Sequence, residues 1–364
     1  MKRASELLLT FLLNAAWQVA LVAVVASLGD RLLRRTSARH RHLLWVVALG
    51  MSLVLPLVTS WRAATVDQVP QGPTSEIAKT PLPHAGLQPW LPPTLPSTLR
   101  VNQQVAWGLL AVYLLFLVYR SGQLFRAWAR TLRARQVARL VPPTDRVHGI
   151  VATCLETIPV TGVRIFSSSG QRVPTTIGVL RPWIVLPEEL LREASPETLI
   201  AAIGHEMAHV RRSDYLLNLI YEIGFLPLSF HPAAALMRRR IAETRELSCD
   251  HMVADRLLRP EVYARSLVEL AGVAMPLLRR GTTLTVGIAD ADILEVRIMS
   301  LLKRTTLNAG RKRWWLVAAA ALLAIPCGAA AAFAVHFHMA PGDSTGSATG
   351  PFLGPQENQG QEDA

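Results

Sequence analysis

The sequence predicts a membrane α-helical protein, with about four transmembrane helices, that carries an α+β domain on the cytoplasmic side. Three observations predict it. Hydrophobic residues make up 51% of the chain and collect into runs long enough to cross a bilayer core of about 30 Å. Arginine clusters mark only alternate loops between those runs, the bias that orients a membrane chain. A long stretch of mixed charge separates the third run from the fourth, and it carries the strand and helix patterns of a folded domain.

The elements follow in chain order. Leu7–Leu28 is almost uncharged and is the first expected span. Lys2 and Arg3 before it would also suit a cleaved signal peptide, but no small-residue cleavage site precedes the arginine cluster. Arg31, Arg34, Arg35, Arg39 and Arg41 outweigh Lys2 and Arg3 and place the next loop in the cytoplasm. Leu43–Trp61 is the second span. Residues 62–104 hold eight prolines and little charge, as expected of an outside loop. Val105–Val118, with Tyr113, Tyr119 and Arg120 for the interface, is the third span and completes a membrane region over residues 1–119. Trp314–Val335, opened by paired tryptophans and interrupted by Pro326, is the fourth. Residues 336–364 contain no Lys or Arg and four acids, and are expected to form a disordered outside tail.

Residues 120–313 are the expected cytoplasmic domain. Arg120–Leu140 reads as an arginine-rich helix leaving the membrane. Val163–Ser167, Val173–Gly178 and Trp183–Leu186 read as strands, with Gly178 and Pro182 marking a turn. The strand just upstream of the next helix is expected to bind a peptide in extended form through its main chain. That helix opens on Ser195-Pro196, a good N-cap followed by proline at the first helical position. Tyr215–Phe230 is apolar enough to suggest another crossing. It is read instead as a helix against the domain, because a crossing would separate the polar groups on either side of it, and Glu222 would be costly in lipid. His231-Pro232 is read as the turn into the helix that follows, with His231 as a site residue the competing reading.

The chemistry lies in two short strings. Gly204–Arg211 reads GHEMAHVR, which holds His205, Glu206 and His209 as HExxH. Residues four apart share a helix face, so both imidazoles can approach one metal ion, and Glu206 stands beside it as a proton acceptor. This is a zinc metalloprotease pattern. Alone it lacks a third ligand. Glu246 and Asp250, spaced as ExxxD, supply one: Glu246 would complete a His, His, Glu set with a position left for water, and Asp250 would orient a ligand histidine. The competing reading of ExxxD is an amphipathic helix with solvated charges. Cys249 is read as a packing residue rather than a thiolate ligand, and no cysteine falls in an outside loop to form a disulfide. Asp214 is open between anchoring an arginine and ending a helix. The net charge of +12 gathers beside expected spans, where anionic lipid is its partner, so direct nucleic-acid binding is not expected.

Together these strings resemble the BlaR/MecR-type membrane peptidases, the antibiotic-sensor transducers and their relatives. The likeness runs from Leu7 to about Val335 and rests on PWIVLP at Pro182–Pro187, GHEMAHVRRSD at Gly204–Asp214, FHP at Phe230–Pro232 and RELSCD at Arg245–Asp250. The resemblance implies a zincin-like, gluzincin-type domain that binds one Zn²⁺ per chain through His205, His209 and Glu246, with Glu206 as general base. It also implies a multi-pass protein of the bacterial inner membrane that cleaves a cytoplasmic or juxtamembrane protein. A transcriptional repressor and the chain itself are the expected candidates, and a homodimer is left open. In the antibiotic sensors a penicillin-binding domain follows the last span, whereas here Phe337–Ala364 follows, too short and polar to fold alone. A membrane quality-control protease and a non-proteolytic signalling scaffold are the alternatives.

Overall fold

The computed structural model describes residues 2–66, 97–142, 145–278, 291–303 and 335–340, with scattered positions between 318 and 329. Helices α1 (Lys2–Leu32) and α2 (Ala38–Val66) are joined by a 3-10 turn at Leu33–Arg35. They pack antiparallel, since Gln18 bonds to Thr59 near one end and Asp30 to Arg41 near the other. Small residues at Ala15, Ala23, Ala26 and Ala48 let the two backbones approach closely. Helix α3 (Gln103–Val137) is 35 residues long, so it runs about 50 Å and outlasts a bilayer core. The expected span and the arginine-rich helix after it are thus one element. Among the described residues α1, α2 and α3 are long and apolar enough to cross a membrane. The expected fourth span lies mostly outside the described residues.

The domain that follows joins a small sheet to a helical body. Strands β2 (Arg139–Leu140), β3 (Arg164–Ser168), β4 (Thr175–Ile177) and β5 (Trp183–Pro187) are ordered β2-β3-β5-β4. β5 runs parallel to β3 and antiparallel to β4. Gly178 makes the turn after β4 at a φ of 104°, where an added Cβ would press on the Arg181 carbonyl. One expectation is corrected here. β5, the strand just before the helices, already has a neighbour on both sides, so it cannot take an extended peptide; the edge strands of this sheet are the two-residue β2 and, nearer α6, β4.

Helices α4 (Asp145–Thr157), α5 (Glu188–Glu193), α6 (Pro196–Arg211), α9 (Pro260–Leu278) and α10 (Ala291–Leu302) enclose one apolar core with Ile184, Leu186, Leu199, Ile203 and Met207 at its centre. α7 (Asp214–Phe225) and α8 (Pro232–Arg256) form a hairpin that leaves this core and enters the second one, between α1 and α2. Tyr221, Phe225, Leu228, Met237 and Ile241 pack there against Val19, Val22, Trp45 and Leu49. Gly224 brings α7 close to α2, where a Cβ would meet Leu53 at 3.4 Å. The hairpin tip reaches the middle of the first span: His231 Nε2–H donates to the Ala16 carbonyl at 2.9 Å. Its Nδ1 accepts from the Ala233 amide, so His231 caps α8 and is a turn residue. Glu222 does not face lipid alone, because Arg238 pairs with it at 2.7 Å across the hairpin. The apolar segment thus folds back on itself as a hairpin, and both of its ends return to the domain.

A second departure concerns the tail. Val335–Ala340 forms strand β6, paired in parallel with strand β1 (Ser97–Asn102) at the end of the proline-rich loop. The sequence there alternates Val335, Phe337 and Met339 with histidines, a strand period in a segment read as unstructured. Residues 341–364 lie outside the described residues.

Candidate metal and catalytic site

Three elements build the site: α6 supplies two histidines, α8 supplies carboxylates, and β4 closes one flank. α6 starts where expected. The Ser195 side chain accepts from the Thr198 amide, with Pro196 in the first turn. Glu269 of α9 accepts from the Thr198 hydroxyl at 2.6 Å and ties this end to the core. The buried face of α6 includes Gly204, beside which Leu257, the residue that caps α8, lies so close that a Cβ would force it to move. That small residue sets the spacing of the two helices one residue before His205.

His205, His209 and Glu246 come together. His205 Nε2 lies 3.2 Å from His209 Nε2 and 3.2 Å from Glu246 Oε2, and His209 Nε2 lies 3.7 Å from the same oxygen. Tautomers follow from the partners on the other side of each ring. The Tyr263 hydroxyl donates to Asp250 Oδ1 at 2.7 Å, so at 3.0 Å from His205 Nδ1 it accepts. Nδ1 therefore carries a proton, and in the neutral ring Nε2 presents a lone pair. His209 does the same through Asp214, whose Oδ2 accepts at 2.8 Å from Nδ1. With both rings neutral, two lone pairs and a carboxylate oxygen face one point, an arrangement that calls for a proton or a metal ion there. The spacing agrees: ligands about 2.05 Å from a tetrahedral zinc lie about 3.3 Å apart. The donor set fits one zinc ion, with Glu246 Oε1 held away by Arg245 at 3.1 Å.

The surroundings are buried and charged. Burial alone would raise the Glu246 carboxyl, but the adjacent His209 and the hydrogen bonds from both histidines hold it well below the usual range. Burial would lower His205, and its bonds to Asp250 and Glu246 overcome this and raise it. Asp250 is fully buried and would also rise, yet Arg297 grips it at 2.7 Å through both Nε and Nη2 and keeps it ionised. Cys249 Sγ lies 3.4 Å from His209 Nδ1, on the far side of the ring from the converging Nε2 atoms. Burial pushes this thiol up to about 11, and its Sγ also lies 3.4 Å from Asp214 Oδ2. Asp214 was open in the sequence, and it does two things. It holds His209 and is itself held by Arg212 at 3.1 Å. Ser213 makes this reach possible by adopting a left-handed conformation, φ 56°.

Glu206 is 6% exposed, and its Oε2 accepts from the Thr176 hydroxyl of β4 at 2.7 Å. The edge strand therefore lies against the carboxylate. Thr176, Tyr263, Arg245 and Arg297 escaped the sequence reading. Arg297 alone left a trace: Ile293, Arg297 and Leu301 are spaced by four and all buried, so an arginine occupies a core position of α10.

Residues 9–301 fit the BlaR1 peptidase M56 family. The chain belongs to that family. A segment of 106 residues is also 30% identical to the regulatory protein BlaR1 of Bacillus licheniformis. That match covers 29% of this chain and 18% of the relative's length. Membership of the M56 family and three candidate spans make this a membrane-associated chain of a signalling metallopeptidase family.

Proposed function

We propose that the chain is an integral-membrane zinc metalloendopeptidase whose domain faces the bacterial cytoplasm. His205, His209 and Glu246 would hold one Zn²⁺, and Glu206 would act as general base. The observation that carries this reading is the convergence of His205 Nε2, His209 Nε2 and Glu246 Oε2 within 3.7 Å of one another. When bound, zinc polarises a peptide carbonyl and lowers the pKa of a ligated water toward about 7. The chain's own groups do the rest. Asp250 and Asp214 keep the imidazoles in the ligating tautomer. Glu206, steadied by Thr176, takes the water's proton and passes it to the leaving amine. The open side of β4 offers main-chain donors and acceptors to an extended substrate segment.

Substrates are proposed to be cytoplasmic or juxtamembrane proteins, a transcriptional repressor or the chain itself. The docking of the α7–α8 hairpin among the spans supports this, because it holds the site next to the membrane. Orientation with the arginine loops inside is supported by β1 and β6, which pair segments that the charge rule puts on the same side.

Glu206→Gln separates binding from chemistry. The amide fills the same space and accepts Thr176, but it takes no proton. Zinc content should be unchanged and proteolysis should fall by about 10²-fold or more. Normal cleavage of a cellular substrate by the variant overturns the assignment.

A further inference from the structure

Away from the metal site, on the other side of α8, the chain encloses a cleft of about 1000 Å³. Its walls come from the turn between α1 and α2, the end of α6, the middle of α8, and α10. Cations dominate it. Arg34 enters from the interhelical turn, Arg39 from the first turn of α2, Arg212 from just past α6, Arg240 and Arg256 from α8, and Lys303 from just past α10. Glu243, Asp255 and Glu295 are the lining acids.

The ion pairs divide these charges into two groups. Arg240 bonds to Glu243, Arg212 to Asp214, and Arg41, also in the lining, to Asp30. They are structural. Arg256 donates to the Thr157 carbonyl at 3.4 Å, whereas Arg34, Arg39 and Lys303 have no carboxylate or carbonyl partner among the described residues, although they reach the same space from separate elements. Three unneutralised cations that converge from different directions suit a compact, multivalent anion better than an extended acidic strand. Leu247, Met252, Val296 and Met299 add an apolar wall for the rest of such a molecule. The volume is that of a small-molecule site.

We propose that this cleft binds a phosphate-bearing ligand, with Arg34, Arg39 and Lys303 on the phosphate oxygens. The phosphate can belong to a soluble nucleotide-like molecule or to an anionic phospholipid headgroup, since the α1–α2 turn stands at the end of two spans. Arginine suits either, through its planar fork. The cleft is also wired to the site. Arg212 lines it and holds Asp214, which holds His209, and Leu247 and Ser248 line it immediately after Glu246. A ligand here would therefore be felt at the candidate metal ligands.

The test uses the full chain and reads binding, so it is independent of whether the site cleaves peptides. Arg34→Gln with Lys303→Gln removes two of the three free cations. Arg31→Gln with Arg192→Gln, exposed and outside the cleft, removes the same net charge. Inorganic pyrophosphate is titrated calorimetrically into each protein in detergent. Separately, each protein is placed in nanodiscs of phosphatidylcholine with or without phosphatidylglycerol, and its melting temperature and co-purified lipid are measured. Pyrophosphate affinity about tenfold weaker in the cleft variant, and unchanged in the control, supports a soluble phosphate ligand. No pyrophosphate binding, with phosphatidylglycerol retention and stabilisation lost only in the cleft variant, supports a lipid headgroup. Equal responses of the two variants, no response to either probe, or cleft-dependent binding of an acidic peptide without either phosphate probe, overturn the proposal.

Discussion

Glu246 divides its two oxygens between opposite demands. Oε1 meets the Arg245 guanidinium, while Oε2 faces His205 and His209. Arg245 is steadied in turn by Asn218 of α7 at 2.9 Å. If the carboxylate is the third ligand, Glu246→Ala leaves two histidines and an unpaired arginine. The wild-type chain should then carry about one zinc, and the variant should lose most of it, measured by elemental analysis of purified protein. Full retention would exclude Glu246. Asp214 shows why single residues are hard to read from sequence. An Asp at the start of a helix is ordinary, and its grip on His209 depends on the left-handed turn at Ser213.

Among the elements, α8 is the spine. Its first half packs with the spans and its second half with the domain core, so Glu246 sits where two cores meet. Arg41, paired with Asp30 of α1, also approaches Glu243 of α8 at 3.8 Å, and His42 bonds to Thr244. α10 serves the site from further along the chain. It delivers Arg297, 2% exposed, to Asp250. Arg297→Met should strand a buried carboxylate and cost about 3–5 kcal/mol. Adding Asp250→Asn to that variant should restore part of the loss, because the uncompensated charge goes with it. Denaturation of the two variants in detergent measures this. A double variant less stable than Arg297→Met would show that the pair is not coupled as drawn.

For the whole molecule the question is which side each loop occupies. Arginine counts place residues 120–313 in the cytoplasm and residues 62–104 and 336–364 outside. A reporter enzyme active only after export should be active when fused after Gly72 or Gly350, and silent after Gly149 or Gly281. Activity after Gly281 with silence after Gly149 would mean that residues 215–230 cross. The expected silence after Gly281 rests on the α7–α8 hairpin, which is bonded to the middle of α1 by His231 and turned back on itself.

Sequence alone determined what depends on neighbours along the chain. A span needs only an apolar run, so Leu7–Leu28 and Leu43–Trp61 were legible within α1 and α2. Two histidines four apart share a helix face whatever surrounds them, so His205 and His209 were legible as a pair. Local capping likewise placed the start of α6 at Ser195-Pro196. The tertiary structure decided everything that depends on distant partners. It set β5 inside the sheet and β4 at its edge, because strand order is a matter of pairing and not of pattern. It assigned Thr176 to Glu206 and brought Tyr263 and Arg297 to Asp250, 13 and 47 residues away along the chain. It also sent an apolar helical hairpin back among the spans, where Arg238 neutralises Glu222. Hydropathy measures how well a segment suits lipid, but it carries no information on which other helices line its path, and that is why the fold-back of residues 215–230 is visible only in the packed chain.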